Sequence, residues 1–500
     1  MNRLRALFAR PPELAVRVGF NGVAQIAPIV VAVVITPLLL HRLGLDRYGI
    51  WSLALLILGT LTTLDGGVAA SLTRFFAMYA SRGEHAQSGR LLLGSLLFFF
   101  LFGIALTLMA LPLAPSIVHL LDVPPGLEEE AVVVLRWLPP VVGLALMSDS
   151  TTALLQGNGQ FRALAASMLA SSALFVVAVI VLVQPGAQLD DLMLATALRY
   201  VILLIASLLF AAPRVSIGWP LLPSLATTRD LGRYASRMQV SAITGFVNSE
   251  MDALVIAAVL PIRYVGLYNI GLQAASAMRS LPLYAFAPIF TRVTTIFRRE
   301  GREAAAAEFE RLERRWLPAV LGYGVVAVTA VGFSVPVWLG DRYAVSGVMA
   351  AVLLSGYMVH VAFTGMRTCY VRAIGRPGLE ARYSLVWTIG NSLITVPLGL
   401  LAGAVGVVAA TAITGMIAST YFVVLCRRAE GLSSVVPSRR WWRRVAAATV
   451  ITLVGELAIL YTDLHGFFAL ALTGLPALVA LIVFSDGLRQ ARGVKRPTTA

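Results

Sequence analysis

Cysteine is almost absent from this chain. Cys369 and Cys426 are two residues in 500, with no partner spacing around them. That excludes a disulfide framework and a cysteine metal centre, and leaves both as small packing residues. Charge is sparse as well: 13% of residues are Asp, Glu, Lys or Arg, and bases outnumber acids 40 to 25. Sequence marks of common catalytic sites are missing, with no His-Glu-x-x-His, Cys-x-x-Cys, Walker lysine or Gly-x-Ser-x-Gly. Gly157-Asn158-Gly159 lacks the third glycine and the preceding strand of a nucleotide loop. Asp190-Asp191 and Glu128-Glu129-Glu130 are acidic clusters without metal-ligand partners at useful spacing. The chain therefore reads as a non-enzyme, with no cofactor and no metal.

What is present is apolar surface. Hydrophobic residues make up 58% of the chain and the mean hydropathy is +0.82. A water-soluble fold cannot hide that much, so the chain reads as an integral membrane protein. Runs of about 20 apolar residues recur along its whole length, which predicts helical spans rather than a β-barrel. The first run, residues 17–40, is longer than a signal segment and lacks a cleavage site, so it is kept as a span. Fourteen helices with the N-terminus inside place 33 basic residues on the cytoplasmic side and six outside, leaving Arg279 at membrane depth. Such a split is the positive-inside signature. The net charge of +15 is thus a topology signal and a contact for anionic lipid headgroups, not a nucleic-acid patch.

The predicted fold is all-α, polytopic, with about fourteen transmembrane helices in two pseudo-symmetric six-helix lobes plus two C-terminal helices. Residues 1–216 form the N-terminal lobe (helices 1–6) and 217–428 the C-terminal lobe (helices 7–12). Residues 429–500 carry helices 13 and 14 and a basic cytoplasmic tail. The lobes echo each other in sequence. Gly49-Ile50-Trp51 matches Gly266-Leu267-Tyr268, Thr73-Arg74 matches Thr291-Arg292, and Gly159-Gln160 matches Gly375-Arg376, at nearly one offset. With six spans per half, the repeat is parallel, its axis along the membrane normal. On that offset Asp65-Gly66-Gly67 falls opposite Leu281-Pro282-Leu283, so spans 2 and 8 are both expected to be interrupted. Paired interruptions point to a transport pathway. Residues 298–315 are the most charged segment and read as an amphipathic cytoplasmic helix. Residues 112–130 are the longest outer segment. Gly399 and Gly403 form a small-xxx-small pair, a close-packing signal.

Several stretches carry a resemblance. Pro37 to Trp51, then Leu64-Asp65-Gly66-Gly67 and Leu72-Thr73-Arg74-Phe75, resemble the opening of the Wzx-type polysaccharide flippases. These form a branch of the multidrug/oligosaccharidyl-lipid/polysaccharide exporter superfamily. The turn Leu155 to Arg162, and Asn248 to Asp252 running into Val265-Gly266-Leu267-Tyr268, are similar to that family too. The resemblance covers residues 17–426. It implies two lobes around a central cavity, alternating access, and transfer of an undecaprenyl-diphosphate-linked oligosaccharide from the inner to the outer leaflet. The cargo would serve O-antigen, capsule or exopolysaccharide assembly, in the bacterial cytoplasmic membrane with both termini inside. Polysaccharide polymerase machinery is the implied protein partner. A drug/cation antiporter and a peptidoglycan-precursor flippase of the same superfamily remain the alternatives, with a membrane glycosyltransferase or polymerase further off.

The polar cluster Asn248-Ser249-Glu250-Met251-Asp252 sits inside the apolar run 238–260. An ion at bilayer depth costs at least ~2.5–3.5 kcal/mol, so it should face a partner or a wet cavity. Asn248 and Asp252 share a helix face, while Glu250 is rotated from both by about 200°. Glu250 and Asp252 lie ~18 and ~21 Å from the inner end of their helix, and Arg279 on the next helix is ~16 Å from its own. Two readings stay open. Arg279 pairs with an acid to hold helices 7 and 8 together, or it binds cargo diphosphate while Asp252 or Glu250, with Asn248, couples transport to H+ or Na+. Arginine suits a diphosphate through bidentate hydrogen bonds. Arg199 is the second candidate cavity cation, or a partner of Asp149. Arg74 and Arg292 would catch headgroup or cargo phosphate at the inner mouth, or simply mark topology. Asp149 and Arg367 could form an inner gate or be solvated helix-end charges. His360 is a proton carrier or a packing residue.

Overall fold

The computed structural model describes residues 12–63, 68–120, 123–216, 218–283, 286–376, 378–432, 439–460 and 473. Among these residues every regular element is a helix, the all-α class that the apolar runs predict. The N-terminal half holds α1 (Pro12–Thr63), α2 (Val68–Arg82), α3 (His85–Leu120), α4 (Glu128–Gly157), α5 (Phe161–Leu182) and α6 (Leu189–Ala211). Then come α7 (Leu225–Val259), α8 (Arg263–Leu283), α9 (Phe286–Leu339) and α10 (Ala344–His360). A π turn, Val361–Gly365, joins α10 to α11 (Met366–Ala373), and α12 (Gly378–Glu430) and α13 (Arg439–Leu460) follow.

Eight helical stretches among the described residues are long and apolar enough to cross a membrane. Two of them, Ile29–Thr63 and Gly378–Glu430, each contain two expected spans. Gly44 (φ 80°) divides the first and Ala402-Gly403 the second. The positive φ at Gly44 and Gly403 is open to glycine at no steric cost, so a helix can reverse there without a long loop. Large apolar side chains cover the outside of these helices. On α3, Phe98, Phe100, Leu101 and Leu108 are each more than half exposed, a surface fit for hydrocarbon and not for water. The chain is a polytopic membrane protein.

The structure departs from the expected pattern at several points. Leu281-Pro282-Leu283 forms the last turn of α8, which ends at Leu283, and the next helix begins at Phe286; residues 284–285, like Asp65-Gly66-Gly67, lie outside the described residues. Pro112 and Pro115 sit inside α3, which runs on to Leu120 and shortens the outer segment; proline is tolerated at membrane depth where neighbours satisfy the freed carbonyls. The charged segment 298–315 is not a separate helix: it is the start of the helix that becomes span 9, bent from its predecessor at Gly301 (φ 86°). Gly403 is a turn residue rather than a packing residue. α7 and α8, which carry spans 7 and 8, are not among the eight apolar stretches; α8 holds Arg263, Asn269, Gln273 and Arg279. Span 14 lies outside the described residues apart from Thr473.

The chain divides into two compact units, Met1–Glu250 with Pro261–Gly266, and Met251–Leu260 with Leu267–Ala500. In the first, α4 is central and packs against α1, α2, α3, α5 and α6. Gly103 and Gly143 let α3 and α4 touch backbone to backbone: a Cβ on Gly103 would lie 3.0 Å from the Gly143 Cα. In the second unit α9 packs against α10, α11 and α13, and α10 against α12. Two sequence-repeat pairs behave alike. Gly159 and Gly375 both end a helix at positive φ, 68° and 77°. Gly49 and Gly266 face each other inside the first unit, where a Cβ on Gly266 would meet the Gly49 Cα at 3.2 Å.

Candidate functional site: a buried carboxylate among threonines

The turn at Ala402-Gly403 brings the two halves of α12 into contact. A Cβ on Gly406 would lie 2.0 Å from the Leu398 carbonyl oxygen, so only glycine permits the approach. That approach places Asn391 and Thr395, one helical turn apart on the first half, against Thr411 and Thr414 on the second. Asp252 of α7 completes the group. All five are buried, with exposures between 0 and 4%. The Thr411 hydroxyl lies 2.6 and 2.7 Å from the two carboxylate oxygens of Asp252 and 3.0 Å from Asn391 Oδ1. The Thr395 hydroxyl is 3.0 Å from the same Oδ1, and that of Thr414 is 3.4 Å away.

The hydroxyl protons of this cluster are already committed. A hydroxyl donates once. Thr395 has its shortest contact with the Asn391 carbonyl, 2.6 Å, and Thr414 with the Ala410 carbonyl, 2.7 Å. Thr411 has its shortest with Asp252. Asn391 Oδ1 thus has only the longer contacts of these hydroxyls, 3.0–3.4 Å, while Asn391 Nδ2 is buried without an acceptor. Either the amide is turned over, so that Nδ2 donates to the hydroxyls, or a cation belongs among the oxygens. Hard, neutral and singly charged oxygen donors suit an alkali cation or a proton, not a soft transition metal. Among the described residues no group of three His, Cys, Asp or Glu is arranged to hold a metal ion.

The other sequence candidates are spread over both units. Glu250 groups with the N-terminal unit and Asp252 with the C-terminal one. The side chain of Asn248 lies outside the described residues. Arg279 is half-buried, its guanidinium 4.5 Å from the centre of the Tyr357 ring, while Asp252 meets Thr411. Arg199 lies 5.5 Å from the Phe175 ring and 5.8 Å from that of Tyr200, its Nε buried without a partner. Arg74 is exposed and covers the Tyr234 ring at 4.3 Å. Arg292 bonds Glu308 at 2.6 Å, and Glu308 also holds Arg311 at 2.9 Å. Asp149 is half-buried in α4, within the N-terminal unit. His360 is hydrogen-bonded and packed: its Nδ1 is 3.1 Å from the Thr364 hydroxyl and 3.3 Å from that of Tyr383, and its ring is 4.8 Å from Trp387.

Arg367 is not a solvated helix-end charge. It is 2% exposed; its Nη1 donates to the Phe363 carbonyl at 2.8 Å and lies 2.6 Å from Glu313 Oε1 in an ion pair. Glu313, fully buried, escaped the sequence reading because it lies in the charged segment 298–315, where every acid looks solvated. Asn391, Thr395 and Thr411 escaped it too. The i, i+4 spacing of Asn391 and Thr395 was a visible signal, but polar residues in apolar spans are common, and nothing local linked them to Asp252.

The fold is one shared with known membrane transporters. The structure superimposes on the lipid II flippase MurJ in an inward closed conformation with a TM-score of 0.69, at 14% identity, over 95% of this chain and 99% of that one. It matches an inward-facing multidrug resistance MATE family transporter of the MOP superfamily with a TM-score of 0.66, at 14% identity, over 85% and 95% of the two chains. At such identities the likeness is one of fold. Residues 93–346, just over half of the sequence, match the model of the polysaccharide biosynthesis protein family, and the chain belongs to that family. A probable low-salt glycan biosynthesis flippase from Haloferax volcanii, Agl15, is 23% identical over 236 residues, 46% of this chain and 48% of that protein. The aligned region thus spans about half of that relative's length.

Proposed function

We propose that the protein is a lipid-linked oligosaccharide flippase. It moves undecaprenyl-diphosphate-linked units from the cytoplasmic to the outer leaflet by alternating access, for surface polysaccharide assembly. It works as a transporter and not as an enzyme, with six helices in each lobe. The reading rests on family membership together with the transporter fold. The excess of arginine on the expected inner side favours the cytoplasmic membrane, with both termini inside.

Coupling to an ion rests on one observation, the orphaned amide in the Asp252 cluster. A monovalent cation among Asp252, Thr411 and Asn391 would give Asn391 Oδ1 a positive partner beside the carboxylate. An ionised carboxylate inside an apolar unit is costly unless its charge is balanced. Binding Na+ or H+ there therefore changes the energy of the C-terminal unit, which is what a coupling site must do. Arg279, Arg199, Arg74 and Arg292 serve as cation contacts along the cargo path, with Glu250 and Asn248 beside the coupling site and Asp149 and Arg367 near the inner ends of their helices. Release of cargo and entry of the cation would alternate.

Reconstitution tests both parts. Proteoliposomes carrying the full chain should move a lipid-linked glycan fraction between leaflets, driven by an imposed Na+ or H+ gradient. Asp252→Asn should remove the gradient dependence. Absence of movement by the wild type would refute the flippase, and gradient-driven movement by Asp252→Asn would refute the coupling site.

A further inference from the structure

The C-terminal unit contains a second polar site that none of these roles uses. A cavity of about 470 Å³ opens between the start of α9, the π turn with α11, and the start of α12. Its size is within the ~300–1,000 Å³ typical of small-molecule pockets. Its lining combines the aromatic rings of Phe286, Phe290 and Tyr383 with the polar groups of His360, Thr364, Thr368 and the pair Arg372–Glu380. The polar groups are pre-aligned. Arg372 donates to Glu380 through Nε at 2.7 Å and Nη2 at 2.6 Å. His360, Thr364 and Tyr383 form a hydrogen-bonded trio.

The backbone is shaped for this cavity. The π turn Val361–Gly365 inserts an extra residue into the helix between His360 and Met366, a distortion found mostly at functional sites. It aligns His360 with Thr364, whose hydroxyl also bonds the His360 carbonyl. Gly365 lacks a side chain where the Phe286 ring lies: a Cβ there would be 1.9 Å from the ring. The Phe286 ring is therefore seated against a residue whose missing side chain lets it approach.

From this geometry we infer that the cavity binds a sugar ring of the cargo's glycan. The inference rests on the flippase reading and adds where the glycan is recognised. Sugar rings present an apolar face and a rim of hydroxyls. They are met by an aromatic surface on one side and planar charged groups on the other, each able to serve two adjacent hydroxyls. The alternatives fit less well. An acyl or prenyl chain would strip water from Arg372, Glu380 and His360 with nothing in return. A phosphate would meet the Glu380 carboxylate, which already holds Arg372 by two bonds.

The test uses the full chain, with Cys369 and Cys426 replaced by Ser and Thr368→Cys as a reporter, in liposomes. The probes are the lipid-linked glycan fraction from membranes of cells lacking this protein, the glycan released from it by mild acid, and glycan-free polyprenyl diphosphate. At ten times its dissociation constant, a ligand in the cavity slows maleimide labelling about tenfold by mass action. The intact fraction and the released glycan should both protect the thiol introduced by Thr368→Cys, and the polyprenyl diphosphate should not. Independently, in the otherwise native chain, Glu380→Gln and Tyr383→Phe should raise the KM for the lipid-linked fraction with the maximum rate unchanged. Transport without protection, or with KM unmoved in both variants, overturns the sugar site and leaves the flippase standing. Protection by polyprenyl diphosphate alone makes it a phosphate site and overturns the inference. Protection without transport supports the sugar site and overturns the flippase.

Discussion

Two buried polar centres of the C-terminal unit are held by opposite means. Around Arg367 the formal charges cancel: Glu313 lies 2.6 Å away, both side chains are almost fully buried, and aromatic residues such as Phe309 and Tyr370 close the surroundings. Around Asp252 the carboxylate meets the Thr411 hydroxyl and, through it, Asn391, whose Nδ2 is buried without an acceptor. The first arrangement balances its own charge and fastens α9 to α11, although Glu313 Oε1 and Oε2 and Arg367 Nε are buried without hydrogen-bond partners. The second is complete at Asn391 only with an added positive charge or a turned amide. A site that must take and release an ion needs the second kind, and a site that must only hold needs the first.

The sharpest way to break that contrast is to cut the ion pair. Removing one partner of a buried pair leaves an uncompensated charge and costs about 3–5 kcal/mol. Arg367→Met or Glu313→Gln should therefore lower the unfolding midpoint in detergent strongly, while the double variant Arg367→Met with Glu313→Leu should recover most of it. A double variant as unstable as the singles would mean that the pair does more than balance charge. Next in size is Gly406→Ala, whose methyl would collide with the Leu398 carbonyl. Overpacking of this kind costs about 1–3 kcal/mol. It should also separate Thr411 from Asn391, so any stabilisation of the wild type by Na+ in a melting experiment should vanish in the variant.

Thr411→Val sharpens the comparison from the other side. It keeps shape and removes the hydroxyl shared by Asp252 and Asn391, at a cost of about 1–3 kcal/mol for taking one donor from the carboxylate. The Na+-dependent rise in midpoint should be lost while the Glu313–Arg367 pair is untouched. An undiminished Na+ response in this variant would move the cation elsewhere.

How far the sequence reveals these centres depends on the range of the interaction. Apolar runs are local, and they led to the all-helical polytopic fold directly. Glycine turns were half legible: Gly159 and Gly375 stood out through the repeat, whereas Gly403 looked like a packing residue because its φ cannot be seen in a one-dimensional pattern. Asp252 stood out because a charge in an apolar run is conspicuous. Its companions did not, since Asn391 and Thr411 are 139 and 159 positions away along the chain and nothing in their own neighbourhoods is unusual. Glu313 failed for the converse reason. Its neighbours are charged, so its burial is set by packing against α11 and not by composition.

The same contrast, in its weakest form, separates the repeat-related arginines Arg74 and Arg292. Arg292 is tied to Glu308, which is buried and shared with Arg311; Arg74 is exposed and rests on the Tyr234 ring. Glu308 keeps Arg311 when the exposed Arg292 is removed, and an exposed cation–π contact contributes about 0.5–1 kcal/mol, so Arg292→Gln and Arg74→Gln should each leave the melting midpoint nearly unchanged. Their effects on transport should differ. A guanidinium whose charge is already balanced by a carboxylate attracts a diphosphate less than one lying on a neutral ring. Arg74→Gln should therefore raise the KM for the lipid-linked fraction more than Arg292→Gln, and the difference should shrink at high salt, where exposed charges are screened. Equal effects of the two substitutions would show that Glu308 does not shield Arg292 from the cargo.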